Sequence, residues 1–156
     1  MTSEVFFRDN DPMDVSDLRK RIIHALDDAR KEATDRRKAV DEARVAFETF
    51  LERVAGPLFK QAATVLRGEG HDFTLHTPAD AVRLVSDRSP QEAIEVELHA
   101  DGQAPYVLGR TRLLRGGKDP LVEERALAPG KGIADLTEND VTAFLVQEIP
   151  RLVARH

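Results

Sequence analysis

The chain has 156 residues, of which 41 % are hydrophobic and 33 % charged, and its formal net charge is -5. This length suits one domain with its own core, and the mild acidity argues against a general nucleic-acid or anionic-membrane binder, because neutralising phosphates needs a clustered excess of Lys and Arg. The absence of cysteine excludes disulfides, thiolate metal sites and cysteine nucleophiles.

The first thirteen residues are polar apart from the cluster Val5, Phe6 and Phe7, and they predict a flexible N-terminal arm. They lack the apolar core of a secretory signal, and no window of the chain approaches the roughly 18 consecutive apolar residues of a membrane span. We therefore expect a cytoplasmic protein that does not enter a membrane.

A long helix is predicted over residues 14–55. Asp14 and Ser16 are suitable N-caps, and no glycine or proline occurs before Gly56 and Pro57. A helix of this length measures about 60 Å, whereas a compact domain of this size is only about 30–35 Å across. The helix is therefore expected to protrude, to fold back on itself or to pair with another chain.

The apolar spacing of this helix predicts a coiled-coil-like seam, because its members follow alternating steps of four and three residues. The middle of the seam is poor in large apolar side chains, and residues 30–44 hold ten charged residues out of fifteen. Three interpretations remain open: a solvated helix stabilised by ion pairs, a pairing helix of a homodimer, or a break into two helices near Thr34 and Asp35. The seam residues proposed for an oligomer contact are Ile22, Leu26, Ala29, Ala33, Val40 and Phe47.

The rest of the chain predicts a second helix over 57–67, a sheet over 71–127 and a C-terminal helix over 137–153. Within the sheet the apolar period changes to two, and short turns separate the strands, which forces an antiparallel meander. Thr137 with Asp140 resembles a capping box at the start of the last helix. The five predicted strands are Phe73–His76, Ala81–Ser86, Ala93–His99, Tyr106–Leu113 and Leu121–Leu127.

Together these elements predict a single α+β domain over 14–156, with the C-terminal helix packing on one sheet face. The turn centres place Phe73 opposite Leu84 and Leu113 opposite Val122. They also place Leu84 opposite Ile94, and Val96 opposite Gly109.

The other sheet face is predicted to carry one cross-strand row of Arg83, Glu95, Arg110 and Arg125, with Arg112 opposite Glu123 in the next row. Arginine-rich faces bind carboxylates, phosphates or acidic peptides. The alternative is that cross-strand glutamates already pair with these arginines. The candidate partner or anion surface consists of Arg83, Arg110, Arg112, Arg125 and Tyr106.

No catalytic, metal or cofactor motif emerges. His71 and His76 differ by five positions and would point to opposite faces of a strand. The glycine-lysine pairs lack the P-loop frame. We therefore expect a non-enzymatic interaction or assembly module without a cofactor, homodimeric through the long helix or bound to another protein. The alternative is a domain that binds a small ligand or anion, in a pocket between sheet and helices or on the arginine-bearing face.

Overall fold

A computed structural model describes residues 14–101, 104–114, 116 and 119–154. The predicted arm over 1–13 lies outside the described residues. The α+β order predicted from the sequence is confirmed: helices come first, then a five-stranded antiparallel sheet, then a C-terminal helix. The helices are α1 (Val15–Phe50), α2 (Gly56–Gly68) and α3 (Glu138–Val153), with a π-helical segment at Leu51–Ala55 and a short 3-10 helix at Ile133–Asp135.

Contacts divide the chain into two compact units, residues 1–38 and 39–156. The described part of the first unit is the N-terminal portion of α1, and the helix continues unbroken through Thr34 and Asp35. The break considered near these two residues is therefore absent. The assignment of 14–156 to a single domain stays a prediction.

Gly56 and Pro57 do not interrupt the helical chain, although glycine and proline usually end a helix. The Gly56 N–H donates to the carbonyl of Leu51, five residues earlier, so one π-helical turn replaces the usual spacing. Pro57 follows at the start of α2, where its missing N–H is tolerated. A side chain at position 56 would place its Cβ 2.6 Å from the Leu51 oxygen, so this turn requires glycine for space.

Helix α2 ends in the C-terminal motif that its glycines suggest. The His71 N–H donates to the Leu66 carbonyl at 2.8 Å, and the Gly70 N–H donates to the Arg67 carbonyl at 3.0 Å. Gly70 has a φ of +88°, the left-handed conformation that favours glycine. This motif turns the chain into the first strand.

The sheet is a meander in which each strand pairs with its sequence neighbours. Its strands are β1 (Phe73–His76), β2 (Ala81–Ser86), β3 (Ala93–His99), β4 (Tyr106–Leu114) and β5 (Pro120–Ala126). The predicted pairings of Leu84 with Ile94 and of Val96 with Gly109 are confirmed.

Two predicted registers are wrong. Phe73 lies opposite Ser86 rather than Leu84, a shift of two residues that keeps the same face inward. Leu113 lies opposite Leu121 rather than Val122, because Pro120 joins the strand as its first residue, a position that tolerates proline. This second shift is one residue, so it exchanges the two faces of β5.

The core of the second unit lies between the helices and one face of the sheet. Phe47, Phe59 and Phe144 are fully buried there, together with Leu84 and Ile94 from the sheet. Gly109 lets α3 approach the sheet closely, since a Cβ at this position would lie 2.5 Å from Cε1 of Phe144. The prediction that the C-terminal helix packs on one sheet face is confirmed.

The start of α3 carries the predicted capping box. The Thr137 N–H donates to Oδ2 of Asp140 at 2.8 Å, and Lys131 Nζ donates to the same oxygen at 2.9 Å. The hydrogen bond from Lys131 is the main reason that the pKa of Asp140 lies below its usual value, and the bond from the Thr137 backbone adds to it. Helix α3 continues through Pro150.

Candidate functional site

The N-terminal portion of α1 carries a row of large apolar side chains that remain exposed. At 100° per residue, Val15, Leu18, Ile22 and Leu26 fall within a narrow stripe along the helix, and Ile23 lies beside it. Their exposed fractions are 79 % for Val15, 50 % for Leu18 and Ile22, 46 % for Ile23 and 48 % for Leu26. These five residues are here called the apolar stripe. Single exposed apolar residues are ordinary on a surface, whereas these five lie close together on one side of the helix, with Arg19 among them.

The predicted seam continues beyond the stripe with smaller side chains. Ala29 is exposed, whereas Ala33 and Val40 are half-buried. Phe47 is fully buried in the core of the second unit, so it is not available to a second copy as the seam prediction required. The part of the seam that is exposed therefore lies within the first unit.

The other exposed residues of this part of α1 are largely charged. Arg30 pairs with Asp27 at 3.3 Å, and His24 Nε2 lies 3.4 Å from Asp28, all four being exposed. Exposed pairs of this kind contribute only about 0–1 kcal/mol each. His24 and Asp28 lie opposite the apolar stripe, whereas Arg19 and Arg30 fall within its arc at 100° per residue, so charged side chains also border the stripe.

The predicted arginine surface is largely neutralised by its own glutamates. Glu95 is only 2 % exposed, and its carboxylate accepts hydrogen bonds from Arg83 Nε at 2.8 Å and from Arg110 Nη1 at 2.6 Å. Arg110 also donates to Glu97 and Glu124. The cross-strand pairing considered as the alternative is therefore what the structure shows for Arg83 and Arg110.

Charge and burial oppose each other at Glu95. Burial acts most strongly and by itself raises the pKa of this carboxyl, but the hydrogen bonds from Arg110 and Arg83 together outweigh it, so the pKa lies below its ordinary value. The pKa of Arg110 is raised, first by its hydrogen bond to Glu97 and then by those to Glu95 and Glu124. Both groups stay charged at neutral pH, and each neutralises the other.

The remaining members of the predicted surface are separated. Arg112 is partly exposed, with its Nη2 3.8 Å from Glu95, and it lies opposite Val122 rather than Glu123. Arg125 is on the helix-covered face instead, where its guanidinium carbon lies 5.0 Å from the centre of the Phe144 ring. The prediction that placed Arg125 in the row of Arg83 and Arg110 is wrong because of the one-residue register shift in β5.

Tyr106 is the first residue of β4 and lies opposite His99, with the two ring centres 5.0 Å apart and the rings tilted by 47°. The two rings line a groove of about 430 Å³. The loop after β5 forms its other side, through Pro129, Gly130 and Lys131. Its volume falls within the range of small-molecule sites, about 300–1,000 Å³.

A polar cluster between the sheet and α3 was not predicted from the sequence. Glu148 is buried, and its Oε1 accepts hydrogen bonds from Thr111 Oγ1 at 2.8 Å and from Arg151 Nη1 at 2.9 Å. Arg151 also donates to Glu123 on β5, and that hydrogen bond is the main cause of the raised pKa of Arg151. Because all four groups meet across the sheet–helix interface, the cluster fixes how α3 lies on the sheet.

Only the α3 end of this cluster had a visible signal in the sequence. Glu148 stands three residues before Arg151, the spacing of a helical ion pair. Its contact with Thr111 spans 37 residues and depends on the register of β4 against α3.

Within the described part of the chain, no helix is long and apolar enough to cross a membrane. Among the same residues, no group of three or more histidines and carboxylates is placed to hold a metal ion. Comparison of the chain with protein-family models, with curated proteins and with solved structures gives no significant match.

Proposed function

We propose that this protein is a non-enzymatic association module that forms a homodimer through the apolar stripe of α1. The observation that supports the proposal is the stripe itself: Val15, Leu18, Ile22, Ile23 and Leu26 are all exposed on adjoining positions of one helix. A second copy of the same helix offers a matching apolar surface, and heptad spacing is the pattern by which two helices keep such surfaces together.

The size of the stripe predicts a weak dimer. Full burial of a Val, Leu or Ile side chain stabilises by about 1.5–3 kcal/mol, so covering the half that is still exposed on each of five residues gives about 5 kcal/mol per chain. A pair then gains about 10 kcal/mol, within the range of about 4–15 kcal/mol that association costs. The dimer is therefore expected to dissociate on dilution.

The test is light scattering coupled to size-exclusion chromatography over a series of protein concentrations. The natural protein is expected to move from monomer to dimer mass as concentration rises. The variant Ile22→Gln/Leu26→Gln, which keeps helix-favouring side chains and net charge, is expected to stay monomeric. Circular dichroism checks that both proteins keep the same helix content.

The matched control is His24→Gln/Lys31→Gln, which changes two exposed residues on the opposite face of α1. It is expected to dimerise as the natural protein does. A natural protein that stays monomeric at every concentration contradicts the proposal, and so does a stripe variant that dimerises as well as the control.

A second candidate function is supported by the groove beside Tyr106 and His99, which offers two adjacent aromatic rings and a volume of small-ligand size. We propose it as the alternative site for a small ligand, since the arginines of the sheet face are already paired. A thermal-shift screen with acidic and aromatic metabolites tests it, with Tyr106→Ala as the site variant. A screen in which no compound raises the melting temperature of the natural protein counts against this function.

A further inference from the structure

The residues that flank the apolar stripe differ in character along α1. On one side lie Leu18 and, two heptads later, Glu32. On the other side lie Ile23 and, two heptads later, Arg37. In heptad terms Ile22 and Leu26 occupy the d and a positions, which makes Leu18 and Glu32 g residues and Ile23 and Arg37 e residues.

In a parallel pair of helices, a g residue of one chain lies beside the e residue five positions later in the other chain. Leu18 then meets Ile23 of the second copy, and Glu32 meets Arg37 of the second copy, while Ala25 meets Arg30 between them and adds neither an apolar nor an ionic pair. Both spacings are five residues, so one register satisfies both pairs, one apolar and one ionic. Twofold symmetry repeats each pair on the other side of the contact.

An antiparallel pair over the same residues brings e residues beside e residues and g residues beside g residues. In the antiparallel register that puts Ile22 against Leu26 of the other chain, Ile23 meets Ile23 of the second copy, but Leu18 lies against Glu32. No antiparallel register pairs Glu32 with Arg37, because one is a g residue and the other an e residue. Only the parallel arrangement gives both the apolar flank pair and the ion pair.

We infer that two copies of α1 pair in parallel and in register over residues 15–38. This inference rests on the dimer proposed above and adds its direction and its charge pairs. It explains why Ile23 is apolar although it lies outside the a and d positions, since it covers Leu18 of the second copy.

The same register also determines where close packing ends. Ala29 and Ala33 let the two backbones approach, and Arg36 then occupies the next d position, facing Arg36 of the second copy. Like charges there cost stability, although Glu32 lies four residues earlier and within reach of Arg36 on the same helix. Arg19, at the a position before Ile22, faces its own copy in the same way, so the tightly packed part of the seam runs from Ile22 to Ala33.

The chain contains no cysteine, so single cysteines can report the direction of pairing. We would make Ile22→Cys and Ala33→Cys in separate proteins and equilibrate each in a glutathione redox buffer. Parallel pairing in register places each cysteine next to its own copy, within the roughly 7 Å between Cα atoms that a disulfide requires. Both variants are expected to form covalent dimers on non-reducing gels, whereas His24→Cys, on the opposite face, is expected to form none.

An antiparallel arrangement gives a different result. The two positions are eleven residues apart, about 16 Å along the helix, so an antiparallel pair brings at most one of them to its own copy. A dimer by light scattering in which only one variant, or neither, cross-links overturns the parallel register while the proposed dimer stands. Monomeric natural protein overturns both.

A charge exchange tests the ionic pair separately. Glu32→Arg and Arg37→Glu are each expected to weaken the dimer roughly 3- to 10-fold, because each turns two attractive flanking contacts into repulsive ones. The double variant Glu32→Arg/Arg37→Glu restores opposite charges across the contact and is expected to recover most of the affinity. A double variant at least as weak as the worse single variant contradicts the pairing of these two residues.

Discussion

Replacing Gly56 by alanine tests the π-helical turn that joins α1 to α2. In an ordinary helix interior this substitution stabilises by about 1 kcal/mol, because alanine has the higher helix propensity. Here the new Cβ would lie 2.6 Å from the carbonyl oxygen of Leu51, far inside normal contact distance. Relieving such an overlap by a shift of the backbone typically costs about 1–3 kcal/mol of folding stability.

The two effects oppose each other, and the steric one is the larger. We expect a net loss of about 0–2 kcal/mol in the free energy of unfolding for Gly56→Ala. Gly68→Ala is the matched control, because position 68 is also helical and a Cβ there meets nothing within 4 Å. The control is expected to be neutral or to gain up to about 1 kcal/mol.

The assay is urea unfolding followed by circular dichroism at a fixed protein concentration, since a dimer would make stability depend on concentration. Gly56→Ala should unfold at lower urea than the natural protein, and Gly68→Ala at the same or higher urea. If Gly56→Ala is instead stabilised as much as the control, the turn has no steric requirement for glycine and the reasoning fails.

Three further predictions concern the second unit. Gly109→Ala should lower the free energy of unfolding, measured in urea, by about 1–3 kcal/mol, because the new Cβ would overlap the buried ring of Phe144. A variant as stable as the natural protein would show that α3 lies further from the sheet. The pKa of Glu95 is lower in the folded chain than its ordinary value, so as pH falls the unfolded chain takes up the proton first, and stability declines below about pH 4.5. Glu95→Gln should reduce that decline, measured as the melting temperature across a series of pH values. A melting temperature that falls with pH as steeply in the variant as in the natural protein would contradict the lowered pKa. Asp140→Ala removes the carboxylate that receives the Thr137 N–H and should lower the free energy of unfolding by about 0.5–2 kcal/mol, whereas a change within experimental error would mean that this cap contributes nothing.

The helices and the order of the strands follow from local patterns. Apolar residues recur at helical spacing in α1, and short turns leave the five strands no arrangement other than a meander. The start of α3 could also be predicted from the sequence, since Thr137 and Asp140 stand three residues apart, as a capping box requires.

The registers of the two outer strand pairs, β1 with β2 and β4 with β5, could not be predicted in the same way. Between Leu114 and Pro120 the sequence allows more than one turn, and including Pro120 in the strand shifts every later residue by one position. That shift moved Arg125 from the arginine face to the ring of Phe144, and it put Glu124 beside Arg110. A pattern of period two cannot choose between registers when both strand faces carry charged residues, as they do in β5.

The π-helical turn that joins α1 to α2 was not predicted, for a related reason. Gly56 and Pro57 usually interrupt a helix, but a single hydrogen bond of wider spacing lets the helical chain continue through them. The sequence by itself determined the order of the helices and strands and the heptad spacing of α1, because these depend on neighbours within one or two turns. Only the tertiary structure decided that Phe47 belongs to the core, that Glu95 is buried between two arginines and that Glu148 meets Thr111. Those contacts join residues far apart in the chain, and their partners are set by strand register and helix packing rather than by any local pattern.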